Sequence, residues 1–276
     1  MEIEEIPIKT ERFLDAEADR NLKELDEGLT LTNKLILSAV AFLLVNRSGN
    51  IINSEENISR SVFIKGRVDE IFATRYEPRI RKITSDLRRQ ETFFKRTYDG
   101  VGAKVVYKPK DTKTFTQRRK DNLKILQDEA ETSKEFIKTA VSDGVLAEQP
   151  FKDMDEQIEQ LVIGGTEKKG RSLKQNVDVL TQDMTMGYYR IIGNSAGENA
   201  GLTKALYFGD IIKDSRPFCI QRVGRTYTIE QIKGWRSLDW AGKRGDPVIY
   251  QGGWNCRHSY VWIKPEWEEE GLIETE

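Results

Sequence analysis

The chain has 276 residues, 32% of them charged and 38% hydrophobic, with a formal net charge of −1. That length allows one large domain or two ordinary ones, and two is the better fit. The composition is too apolar for a disordered chain. It is also polar for a closed globule, and suits long solvated helices or a subunit that completes its core against partners. Two cysteines in such a length exclude a disulfide-built secreted scaffold. The acidic N-terminus lacks the apolar stretch of a secretory leader, and the most apolar run, Leu35 to Val45, is well short of the roughly 20 residues needed to cross a bilayer. No membrane contact is expected.

The near-neutral total conceals blocks of opposite sign. Residues 1–30 hold ten Asp/Glu against four Lys/Arg, whereas residues 60–125 hold nineteen Lys/Arg against eight Asp/Glu. Residues 201–264 are basic again, and the last twelve residues hold six Glu and no base. Blocks of this kind steer partners and leave the fold undetermined. Arg88, Arg89, Lys95 and Arg96, in the middle block, are candidate contacts to nucleic acid; a solvated helix face is the plainer alternative.

In chain order, residues 1–20 read as an extended acidic arm with weak periodicity, and Leu22 to Val45 as a helix. Arg47-Ser48-Gly49-Asn50 breaks it, and Ser54 opens the next helix, an amphipathic one carrying Val62, Val68, Ile71, Phe72, Ile80, Ile83 and Leu87, with Pro78 as a kink. Tyr98 to Gly102 is a turn, and Ala103 to Tyr107 a short strand or an extended crossing. Thr116 to Val141 is a second long amphipathic helix closed by Ser142-Asp143-Gly144. Shorter helices follow over 153–162, ending at Gly164-Gly165, and over 173–192. After Gly193 glycine, aromatic and β-branched residues become frequent. Ala205 to Gly209 and Ser259 to Ile263 read as strands, and Thr228 as a helix cap. The fold class is therefore α+β: a mainly helical region over residues 1–195 with its acidic arm, then a small α+β module over 196–276.

Both cysteines and the only histidine fall in that module, in two segments about forty residues apart, Asp214-Ser215-Arg216-Pro217-Phe218-Cys219 and Gly252-Gly253-Trp254-Asn255-Cys256-Arg257-His258. Thiolate and imidazole are the donors that zinc prefers, so Cys219, Cys256 and His258 are candidate ligands of a structural zinc, with Asp214 or water as a fourth. A Cys219–Cys256 disulfide, or two buried thiols beside His258, accounts for the same residues without metal. A Cys/His catalytic pair would also use these groups, and Arg216, Arg257 and His258 could act on phosphate. No hydrolase signature surrounds either cysteine. Gly252-Gly253 lacks the context of a phosphate loop and reads as a tight loop needing positive φ. The five tryptophans, Trp235, Trp240, Trp254, Trp262 and Trp267, read as the module's own core.

Four pieces in order resemble the phage head morphogenesis family, the Mu F-like minor head proteins. They are Tyr207-Phe208-Gly209; Asp214-x-Arg216-Pro217-x-Cys219; Gly224 followed by Thr228-Ile229-Glu230-Gln231-Ile232; and Gly252-Gly253-Trp254-Asn255-Cys256-Arg257-His258. They span about 50 residues, roughly a fifth of the chain. Many members close the motif with Cys-Arg-Cys, where this chain has His258. The resemblance implies a non-enzymatic structural or assembly protein of a tailed bacteriophage; no catalytic residues and no cofactor are expected, with the structural zinc read from the donor set as the alternative. Such a protein would be located in the virion head after assembly in the host cytoplasm. It would be associated with the portal and with the major capsid or scaffold protein, and would assist head morphogenesis and genome packaging or delivery; the basic excess from Arg60 to Ile125 adds packaged double-stranded DNA as a further expected partner. A phage-delivered nuclease or toxin-like effector, and a non-catalytic DNA-binding module, are the competing readings.

Overall fold

A computed structural model describes Ile3, residues 5–164 and residues 172–269. The expected glycine stop at Gly165 and the acidic tail beyond residue 269 lie outside them. The chain is mainly α-helical, with one small antiparallel sheet near the C-terminal side. Its helices are α1 (Glu5–Val40), α2 (Glu55–Ile71), α3 (Glu77–Asp86), α4 (Arg88–Asp99), α5 (Pro109–Leu146), α6 (Phe151–Val162) and α7 (Leu173–Asn199). There follow β1 (Lys204–Phe208), α8 (Pro217–Ile220), β2 (Thr226–Thr228), α9 (Ile229–Gly234), α10 (Pro247–Tyr250), β3 (Ser259–Ile263) and α11 (Pro265–Glu269). Among the described residues, no helix is long and apolar enough to cross a membrane.

The contacts gather the chain into two compact units. One comprises residues 1–19, 85–120 and 181–276, the other residues 20–84 and 121–180. The expected boundary near residue 195 falls inside α7. The reason is the size of the sheet. Three short strands in the order β2-β1-β3 cannot bury both faces alone, so residues far away in sequence complete their core. Ile6 and Leu14 of α1, Phe94 and Tyr98 of α4, and Tyr188, Tyr189 and Ile192 of α7 share one buried cluster with Ala205, Tyr207, Val261 and Ile263. Tyr98 Oη accepts a 2.8 Å bond from the backbone N–H of Trp262 in β3, which ties α4 to the sheet.

From Glu5 onward the acidic arm is not extended; it is the first half of α1. Its buried stripe runs Ile6, Thr10, Leu14, Glu17, Asn21 and Leu25, all at most 4% exposed. Three of these six are polar, so the helical spacing is present while the hydrophobic signal that would reveal it is diluted.

In the second unit, Asn57 holds the loop after α1. Its Oδ1 accepts from Leu44 N at 2.8 Å, and its Nδ2 donates to the carbonyls of Leu44 and Ile52 at 2.8 and 2.7 Å. Ser54 caps α2, accepting from Asn57 N at 3.2 Å. Where Pro78 was expected to kink the next helix, a π-helical turn, Phe72–Tyr76, joins α2 to α3. Proline brings no N–H to the ladder and crowds the carbonyl four residues back, and the widened turn absorbs both effects. Residues 103–107 are an extended crossing without strand pairing. The helix expected over 116–141 extends to Pro109–Leu146. Gly144 therefore lies inside it rather than capping it, and a Cβ there would sit 2.9 Å from Met154 Sδ.

At the sheet, β1 pairs antiparallel with β2 through Ala205 opposite Tyr227, and with β3 through Leu206 opposite Val261. Thr228 closes a capping box on α9, its Oγ1 accepting from Gln231 N and its N–H donating to Gln231 Oε1. Glu268 of α11 accepts from Lys204 Nζ and from Thr226 Oγ1, both at 2.6 Å, joining β1 to β2. The bonds from Lys204 and Thr226 hold the Glu268 carboxyl below its usual range. A carboxylate with a depressed folded pKa contributes stability that is present above its unfolded value and lost as pH falls through the folded one. Glu268→Gln should therefore cost roughly 0.5–1 kcal/mol at pH 7. The difference should shrink as thermal melts of variant and parent are compared down into the acid range.

Candidate metal and thiol centre

The two cysteine segments meet. Cys219 is carried by α8, which Pro217 opens, and Cys256 and His258 lie on the loop that enters β3. All three side chains are buried, with donor atoms within 4.8 Å of one another. The two Sγ atoms are 3.9 Å apart, and Cys256 Sγ lies 3.7 Å from His258 Nδ1. The cysteines are free thiols, so the disulfide alternative does not describe this structure; a bonded pair would stand about 2.05 Å apart.

Tyr207 of β1 forms the floor. Its hydroxyl donates to Cys219 Sγ at 3.3 Å and lies 4.0 Å from Cys256 Sγ. Its ring stacks on His258 with centroids 5.6 Å apart and 14° between the planes. Burial pushes the Tyr207 hydroxyl well above its ordinary pKa, so it serves as a neutral donor. The Cys219 thiol, with the bond from His258 and the charge of Arg190, favours Cys256 as the thiolate of the pair.

Arg190 is the residue that sequence reasoning missed. It is 3% exposed, and its Nη2 donates to the carbonyls of Cys256 and His258, both at 2.6 Å, while Nη1 reaches Ile249 O at 3.2 Å. The available signal was a lone charge between Tyr189 and Ile191 in the apolar second half of α7. Asp183, seven residues earlier on α7, accepts from Asn255 N at 2.9 Å and pairs with Arg244 at 3.2 Å. Burial raises its carboxyl, and the bond from Asn255 and the charge of Arg244 oppose the rise.

The remaining motif residues surround this centre. Asp214 is exposed at the rim of a cleft of about 460 Å³ that Arg216, Cys219, Asn255, Cys256, Arg257 and His258 also line. Arg216 is half-buried and donates to Trp254 O at 2.6 Å, so its role here is to hold a loop. Arg257 is exposed, and Gln182 Oε1 accepts from its Nε at 2.7 Å once the amide is oriented to satisfy both of its ends. Arg216 and Arg257 therefore have protein partners. Trp235, Trp262 and Trp267 are buried as expected, while Trp240 and Trp254 are only partly so. The Trp240 ring stacks on Phe218 at 4.0 Å.

The two loop glycines are needed for different reasons. Gly253 has φ +100°, and a Cβ on it would lie 1.8 Å from the carbonyl oxygen of Gly242. Gly252 does not have the positive φ expected of the pair; a Cβ there would meet Cys219 Sγ at 2.4 Å and Cys256 Sγ at 2.9 Å. Arg88, Arg89, Lys95 and Arg96 are distant in sequence from the centre and exposed on α4. Arg89 pairs with Asp86 at 3.1 Å and approaches Glu17 at 4.0 Å.

No family model, curated protein or solved structure matches the chain, so its function has to be read from its own residues and their geometry.

Gly253→Ala should destabilise by about 2 kcal/mol or more, from strained backbone and a backbone clash. Gly252→Ala should cost about 1–3 kcal/mol by overpacking. Gly66→Ala in α2, where an added Cβ meets nothing within 4 Å, should instead stabilise by up to about 1 kcal/mol. Denaturant midpoints of the three variants check the order.

Proposed function

We propose that this chain is a non-enzymatic minor head protein of a tailed bacteriophage, carried in the virion head and docked on the portal and on the capsid or scaffold protein. The observation that carries the reading is the convergence of the motif. Residues spread from Asp214 to His258 gather around one buried thiol–imidazole centre, with Gly252 packed against both sulfurs. The resemblance to Mu F-like proteins rests on these same positions. His258 is 5% exposed and stacked on Tyr207, which supports a structural role over attack on phosphate.

An exposed apolar patch in the helical unit suits a subunit that finishes its surface against a partner. Phe42 is 64% exposed and Phe63 61%, and the two line one surface groove with Glu56, Ser59 and Arg60. When the purified chain is mixed with tailed-phage portal and capsid proteins from the same genome, a stoichiometric complex is expected by size-exclusion chromatography with light scattering. Phe42→Asp combined with Phe63→Asp should weaken that complex at least tenfold. A monomer indifferent to both proteins would sink the reading.

Packaged DNA is the further partner proposed. Arg88, Lys95 and Arg96 project from one exposed stretch of α4, and basic side chains there would neutralise phosphates and release counterions. Replacing Arg88, Arg89, Lys95 and Arg96 with Gln should weaken duplex binding. It should also flatten the salt dependence by roughly 0.9 log–log units per lost phosphate contact. Unchanged binding in a salt titration would remove DNA from the partners.

A further inference from the structure

We propose that Cys219, Cys256 and His258 bind one zinc-class divalent ion, with its fourth coordination position turned towards the acidic cleft. This goes beyond the assembly role and does not depend on it. The spacing is the first argument. Two sulfurs at about 2.3 Å and one nitrogen at about 2.0–2.1 Å from a tetrahedral ion stand about 3.8 Å (S to S) and 3.6 Å (S to N) from each other. Here the corresponding distances are 3.9 Å between the sulfurs and 3.7 Å from Cys256 Sγ to His258 Nδ1.

The surroundings are built to match. Having no Cβ, Gly252 lets both sulfurs pack directly against its backbone. Tyr207 donates to Cys219 Sγ, and Arg190 fixes the carbonyls of both Cys256 and His258 from behind. Outer partners of this kind orient metal ligands and offset their charge. The donor set of two thiolates and one imidazole favours zinc over calcium or magnesium, which prefer oxygen ligands.

The cleft supplies both an entry path and a remaining ligand position. Glu11 and Asp15 of α1, with Asp210 and Asp214, line it together with all three donors. Glu11 is the half-buried one of these four carboxylates. Burial raises its pKa, neighbouring Asp210 and Asp15 raise it further, and the nearby His258 lowers it. Four carboxylates around one opening concentrate a divalent cation there.

The test uses the full chain, reduced and stripped of metal, titrated with cobalt(II). The expected result is a thiolate-to-cobalt charge-transfer absorption with tetrahedral visible bands. These should saturate at one ion per chain and be bleached by one equivalent of zinc, with a melting temperature raised by several degrees. Cys219→Ser with Cys256→Ser should abolish the charge-transfer band, and His258→Gln should weaken cobalt binding at least tenfold. Circular dichroism of the metal-free variants against the metal-free parent separates lost ligation from lost folding. The wild-type titration decides by itself. A featureless octahedral spectrum, with an unmoved melting temperature and thiols equally reactive with and without zinc, overturns the proposal. Retention of the same spectrum in the double serine variant does so too.

Discussion

The C-terminal unit depends on a buried guanidinium. Arg190 enters from α7, and its two Nη groups donate to the carbonyls of Ile249, Cys256 and His258. The first lies in the short helix α10, and the other two in the irregular stretch between α10 and β3. Burying a cation is costly unless its donors are met, and here the cost is offset by oxygens that would otherwise be orphaned. The same contact fixes where the sulfur of Cys256 and the ring of His258 point.

Around that contact the small sheet sets the remaining architecture. Every residue of β3 is buried, and β1 is buried from Ala205 onward. A three-stranded sheet with its strands so covered must recruit cover from elsewhere. The start of α1, α4 and the second half of α7 provide it. The N-terminal residues thus belong to the same compact unit as the cysteine motif, and Glu11 and Asp15 stand at the mouth of its cleft.

The charge blocks acquire a physical setting from this arrangement. Much of the basic middle block is engaged locally, as Arg119 is with Glu91 and Arg79 with Glu24. Both of these pairs are partly buried. What remains outward on α4 is a short basic face, and in the helical unit a pair of exposed phenylalanines. These are the two surfaces on which the proposed partners would dock.

The helices and the strands at 205–208 and 259–263 were legible because their periodicity and turn residues are local properties of the chain. So was the cysteine–histidine motif, because rare residue types in two short segments stand out without any structure. The first half of α1 was not legible, since Thr10, Glu17 and Asn21 occupy its buried stripe and hide the helical period. Nor was the role of Arg190, because nothing in the residues beside it says that its guanidinium will meet carbonyls some sixty residues later. Gly252 could be read as a loop glycine, but only the packing shows that the space it leaves is filled by two sulfurs rather than required by its own φ. The sequence by itself determined the long helices from Leu22 onward, two of the strands and the cysteine–histidine set, because these depend on local patterning and composition. The tertiary structure alone decided which distant residues complete the core and hold the donors at metal-binding distance, because desolvation and close packing act only once separate segments meet.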